Sequence, residues 1–235
     1  MLLVAAVCFL GGYTLYARRV ADPVVDFRLF RNRVFAIAVG VGNILRLSIF
    51  PVSFLVALLL QLGFGLDPFQ AGLLLMFFTL GAMTMRANIA NLAAAIGMRR
   101  LLIICSLLTA AMTAGFVFFS AETPFAVLAV YLFGFGVLRN AQHQTVTALS
   151  FADIPDEQFS KSTTVSALLQ KGGQSLGIGI AASLLALFAG GGPIGTASFA
   201  PVFLVFAAIS GLTAIGFSKL RPEDGWQVSG HRPKE

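Results

Sequence analysis

Six stretches of this chain are apolar for the roughly 20 residues that a helix needs to cross a hydrocarbon core. They cover residues 34–60, 71–95, 101–120, 124–151, 159–189 and 199–217. The third and sixth are clean, whereas the fifth is long and polar at its start. A shorter apolar run, 2–16, precedes them. Its positive residues, Arg18 and Arg19, follow it and no basic leader precedes it, so it reads as a spanner that begins at or before Met1 rather than as a signal peptide. Residues 21–33 alternate Val24, Val25, Phe27, Leu29 and Phe30 with Arg28, Arg31 and Arg33. That pattern suits an amphipathic element lying at the headgroups, with a plain loop as the alternative. The last residues, 219–235, are polar, contain Pro222, Gly225, Gly230 and Pro233, and are expected to be disordered. The pattern therefore predicts an all-α polytopic membrane bundle. Its parts are a partial linker helix over 1–19, a cytoplasmic linker over 20–33, a six-helix unit over 34–218 and a cytoplasmic tail over 219–235.

Alternating the spans collects Arg18, Arg19, Arg28, Arg31, Arg33, Arg99, Arg100, Lys161, Lys219, Arg221, Arg232 and Lys234 on one side. The opposite loops, 63–70, 121–123 and 190–198, hold only Asp67 and Glu122 as charges. Cytoplasmic loops carry the excess of Lys and Arg, which puts the C-terminus in the cytoplasm and Met1 outside.

Composition agrees. With 57% hydrophobic residues, 11% charged residues and a mean hydropathy of +0.88, the chain is too apolar for a soluble domain, and its first partner is the lipid bilayer. The formal charge of +6 does not indicate nucleic acid, because the basic residues sit at the ends of apolar runs rather than along one polar face. Cys8 and Cys105 lie singly within apolar runs, which gives neither a disulfide framework nor a metal site. No two carboxylates share a span, and Gly190-Gly191-Gly192-Pro193 lacks the Lys-Ser/Thr of a phosphate loop. No enzyme and no cofactor are expected.

Two sets of loop residues resemble a known family. Residues 61–72 (Gln-Leu-Gly-Phe-Gly-Leu-Asp-Pro-Phe-Gln-Ala-Gly) followed by Gly97-Met98-Arg99-Arg100, and Asp153-Ile154-Pro155-Asp156-Glu157-Gln158 leading into Gln174-Ser175-Leu176-Gly177, are similar to the C-terminal part of the fourteen-spanner major facilitator drug:proton antiporters of the EmrB/QacA type. Residues 23–33 resemble their linker ahead of the last six helices. The resemblance implies the C-terminal six-helix major facilitator domain, built from three-plus-three inverted repeats, with a partial linker helix before it. It also implies a small-molecule substrate held near the midplane against a missing N-terminal transporter domain or a second copy, and export driven by the proton gradient if the chain is coupled. Gly97, Arg99 and Arg100 would belong to the cytoplasmic gating loop. Ala94 and Ala95 stand where the family places Asp or Asn and then Arg. The rival expectation is a non-transporting remnant, or a scaffold half that pairs with another chain.

Lone cations inside the spans are the candidate chemistry. A cation in hydrocarbon costs roughly 2.5–3.5 kcal/mol on insertion scales, so it faces a bundle interior or a polar cavity. Arg46 lies near mid-membrane, about 18 Å into its span at 1.5 Å per residue. It either faces the cavity or bonds backbone carbonyls. Arg86 is close enough to the cytoplasmic end to snorkel. Arg139, Gln142, His143 and Thr147 recur at helical spacing and are expected to share a polar face that lines the cavity or forms an inter-helix network. His143 is the one span residue whose ordinary pKa lies near neutrality, which makes it a candidate proton carrier or a packing residue. Thr163, Ser166, Gln170 and Gln174 form a second polar stripe with Lys171 beside it. Gly172, Gly173, Gly177 and Gly179 follow, where close helix contact is the expected use.

Overall fold

The computed structural model describes residues 33–152, 156–221 and 224, with side chains in the fifth helix from residue 162 onward. The expected linker helix over 1–19, nearly all of the amphipathic stretch, Asp153 and most of the tail lie outside the described residues. All regular structure among them is helical: α1 (Arg33–Leu58), α2 (Pro68–Ile96), α3 (Met98–Gly115), α4 (Phe125–Phe151), α5 (Asp156–Ala189) and α6 (Thr196–Ser218). A π-helical turn, Leu59–Gly63, extends α1, and a 3-10 turn, Phe116–Phe118, extends α3. All six are long and apolar enough to cross a membrane.

Five of the six helices begin one to three residues before the apolar runs, whereas α4 begins one residue after. Asp67 caps α2, its Oδ1 accepting from the N–H groups of Phe69 at 2.8 Å and Gln70 at 3.0 Å, with Pro68 in the first turn where its missing donor costs nothing. Gly97 is the whole connection between α2 and α3. Its φ of 85° is a backbone conformation that a side chain disfavours, and its N–H closes on Ala93 O at 2.9 Å.

The chain's two three-helix units, α1–α3 and α4–α6, pack mainly on each other rather than within themselves. α1 packs on α5 as α4 packs on α2, α1 packs on α6 as α4 packs on α3, and α3 packs on α6. Each unit has three spans, so α1 and α4 run in opposite directions and the units are inverted. Glycines set the closest crossings. A Cβ on Gly136 of α4 would stand 2.9 Å from the Phe78 carbonyl carbon of α2, and one on Gly81 equally close to that of Phe133. A Cβ on Gly177 of α5 would meet Leu47 O of α1 at 2.6 Å, the carbonyl to which Pro51 cannot donate. Of the four α5 glycines, Gly173 and Gly177 make the crossing with α1, while Gly172 and Gly179 face open space.

The two largest of four apolar clusters fill most of the described interior. The first gathers Phe116, Phe135, Phe199, Phe203 and Phe206 with Leu55, Leu59 and Leu74. Phe116 stacks on Phe203 at 5.1 Å and meets Phe135 edge-on at 5.4 Å. The second gathers Val34, Leu45, Ile49, Met98, Leu102, Val146 and Phe217 near the basic end. At that end Arg33 donates to Lys219 O and lies 3.9 Å from Asp224, while Arg99 donates to Ser218 O at 3.0 Å. Two guanidiniums thus cap the last carbonyls of α6, where the helix dipole favours positive charge.

Candidate functional site

Between these clusters, α1, α4 and α5 bring polar groups together near the middle of α1 and α4. Arg46 is the fourteenth residue of α1 and Arg139 the fifteenth of α4, so the inverted units hold one arginine each at nearly equal depth. Arg46 is only 2% exposed, and its Nη2 donates to Thr147 Oγ1 at 3.3 Å. Thr147 Oγ1 in turn donates to the His143 carbonyl at 2.8 Å. Arg139, half-buried, lies over the rings of Phe50, at 4.6 Å from the centroid, and Phe78, at 5.1 Å. Guanidinium over an aromatic face is attractive, and more so away from water.

His143 connects the two arginines. Its ring meets Phe50 edge-on at 5.6 Å, and its Nε2 lies 3.0 Å from Gln170 Nε2 on α5. An amide nitrogen only donates, so with Gln170 in this orientation His143 accepts at Nε2 and carries its proton at Nδ1. Polar capacity remains at the site. The Nε atoms of Arg46 and Arg139 and the Oδ1 atoms of Asn43 and Asn140 are buried without a partner among the described residues.

The candidates thus divide. Arg46, Arg139, His143 and Gln170 converge. Lys171 follows Gln170 on the exposed side of α5. Gln142 is fully buried on another side of α4, where its Nε2 donates to Ser106 Oγ of α3 at 2.7 Å and belongs to a network with Thr213 of α6. The four-residue polar face of α4 is therefore split between two interfaces. Gln142 stands about 140° round the helix from Thr147, too far to share one. Of the loop candidates, Gly97 makes the α2–α3 turn, Arg99 caps α6, and Arg100 is exposed. Arg86 is exposed as well.

Phe50 and Phe78 were not singled out by the sequence. Twenty-three phenylalanines spread along the chain hide any two of them. The available signal was spacing, since Phe50 follows Arg46 by four residues and so shares its side of α1. No cluster of three or more His, Cys, Asp or Glu that could hold a metal ion occurs among the described residues.

No family model matches the chain. It is similar to bacterial proteins that each bear the name "Putative multidrug resistance protein MdtD". The one from Pectobacterium carotovorum is 32% identical over 75% of this chain and 38% of its own length. The one from Klebsiella pneumoniae is 30% identical over 95% of this chain and 48% of its own length, and that from Pectobacterium atrosepticum is 30% identical over 90% and 47%. The chain spans about half the length of the curated relatives it matches, or less. With six membrane-length helices and this likeness along nearly all of its length, the chain is an integral membrane helical bundle similar to proteins named for multidrug resistance.

Proposed function

We propose that this chain is the C-terminal six-helix part of a major facilitator exporter of the EmrB/QacA type, which moves drugs or other small molecules out of a bacterial cell by alternating access. The observation that carries the reading is the mid-helix polar cluster of Arg46, Arg139, His143 and Gln170, set in two inverted three-helix units. A substrate cavity between two such domains lies near the midplane at the repeat interface. The relatives' names and doubled length support both the export role and an N-terminal partner domain. So does the outer side of α5, where Gly172, Ser175, Gly179 and Ser183 line an open groove of about 610 Å³ suited to another helix. The basic end faces the cytoplasm of the inner membrane. His143, hydrogen-bonded to Gln170, is the proton carrier this chain can offer if export is proton-coupled.

The missing loop charges at Ala94 and Ala95 favour a second reading, a non-transporting half that pairs with another chain. One experiment separates the two. The chain is produced in an efflux-deficient bacterial host, alone and together with the N-terminal half of an MdtD relative, and accumulation of a drug panel is measured. Export predicts lower accumulation of at least one compound in the paired cells, lost in Arg139→Ala at equal membrane abundance. Unchanged accumulation of every compound, with both halves in the membrane, refutes export and leaves the non-transporting half.

A further inference from the structure

The two mid-helix arginines have no counter-charge among the described residues. Among the described helices the only acids are Asp156 and Glu157, in the first turn of α5 at the membrane boundary. A guanidinium removed from water without a compensating anion is costly by several kcal/mol. Backbone carbonyls do not fill the gap. Arg33 and Arg99 at the bundle end donate to Lys219 O and Ser218 O, but the side-chain partner of Arg46 is a threonine hydroxyl at the long distance of 3.3 Å. Arg139 meets two aromatic rings instead of an acceptor.

The geometry of that contact decides what a ligand could still find. A guanidinium is planar and holds all five N–H donors in its plane. Aromatic rings pair with none of those donors in the way an oxygen does, and the guanidinium edge is the part that grips a carboxylate with two parallel hydrogen bonds. The Nε atoms of both arginines are buried and unpaired, so each edge retains a donor. Phe50 and Phe78 supply apolar surface beside it, and His143 and Gln170 supply neutral polar groups.

We propose that this site selects organic anions: molecules with a carboxylate or similar oxyanion head, bound at Arg46 and Arg139, and an aromatic body lodged against Phe50 and Phe78. This deepens the export reading and rests on it for the claim that the bound molecule is cargo. The preference is for charge. A neutral analogue of the same shape loses the charge-assisted bonds, and a cationic analogue meets two guanidiniums.

The test uses the purified chain in zwitterionic lipid nanodiscs and three fluorescent probes of one size: pyrenebutanoate, its primary amide, and a pyrenebutyl trimethylammonium. Signal from empty nanodiscs is subtracted. The carboxylate is expected to bind saturably and at least about tenfold more tightly than the amide, the ratio for one charge-assisted hydrogen bond. The cation is expected to bind most weakly. Arg46→Gln and Arg139→Gln should each bring carboxylate and amide towards equality, Arg46→Lys and Arg139→Lys should retain part of the preference, and Arg100→Gln at the bundle end should leave it intact. Circular dichroism checks that each variant is folded. Should either glutamine variant unfold, its lysine counterpart decides, and a lysine variant with the full wild-type preference overturns the role of that arginine. Equal binding of all three probes, or tightest binding of the cation, overturns anion selection while leaving export standing. Absence of saturable binding by any probe overturns the proposed binding site.

Discussion

Gly136→Ala adds a single methyl group at the tightest crossing in the bundle, and its cost can be worked from the contact it meets. The new Cβ would stand 2.9 Å from the Phe78 carbonyl carbon, 3.2 Å from Ala82 N, and closer still to Phe78 O. All three are backbone atoms, so no side chain can swing away, and α2 and α4 must part by about 1 Å, which forfeits a quarter to a half of each contact at the seam. With some 30 carbon contacts of 0.1–0.2 kcal/mol each, the loss is about 1–2 kcal/mol, within the usual range for overpacking. Alanine returns roughly 0.5–1 kcal/mol through its better helix propensity. A net destabilisation of up to about 1.5 kcal/mol follows, against the stabilisation expected where the added methyl group meets nothing. Gly179→Ala carries the same propensity gain but meets nothing within 4 Å, so it should stabilise by roughly 0.5–1 kcal/mol. Unfolding in mixed micelles of sodium dodecyl sulfate and dodecylmaltoside, followed by far-ultraviolet circular dichroism, gives both midpoints. Equal midpoints for the two variants would refute the claim that α2 and α4 are in backbone contact here.

Three further substitutions probe other parts of the bundle in the same assay. Asp67→Ala removes both bonds that cap α2 and should cost about 0.5–2 kcal/mol, with Asp67→Asn close to wild type. Arg99→Gln leaves Ser218 O without its guanidinium and should cost about 0.3–1 kcal/mol, whereas exposed Arg100→Gln should be neutral; equal effects would argue against the α6 cap. Gln142→Leu breaks the bond to Ser106, and with inter-helix hydrogen bonds in membranes averaging about 0.6 kcal/mol it should shift stability by less than 1 kcal/mol. It should also leave carboxylate binding unchanged, because Gln142 faces α3 rather than Arg139; lost binding in a folded Gln142→Leu protein would contradict that placement.

The six helices were legible in the sequence because spanning length is a property of consecutive residues. Which face of each helix looks inward was not, because in a membrane the lipid-facing side is as apolar as the packed side. Leu107 and Leu212 are exposed while Leu102 and Phe206 are fully buried, and nothing in their chemistry separates them. Arg46 and Arg139 stood out because a charge in an apolar run has few tolerable surroundings. Gln142 joined them by spacing alone, and only packing shows that α4 turns it towards α3. The α5 glycines make the same point: Gly172 and Gly173 are adjacent, yet one faces open space and the other Asn43 of α1. Arg99 looked like a loop charge because the helix end it caps lies 119 residues away.

The pairing of α1 with α5 and of α2 with α4 bears on how the chain is made. The first three helices have few contacts with one another, so they enter the membrane without the neighbours that later bury them. Thr147, the partner of Arg46, lies 101 residues further along. At a synthesis rate of about 5–20 residues per second that separation takes roughly 5–20 s, and Gln170 of α5 comes later still. During that interval Arg46 has none of its final partners and depends on the insertion machinery or on water drawn towards the headgroups. Burial of Arg46 is thus completed only once the second half of the chain has been made.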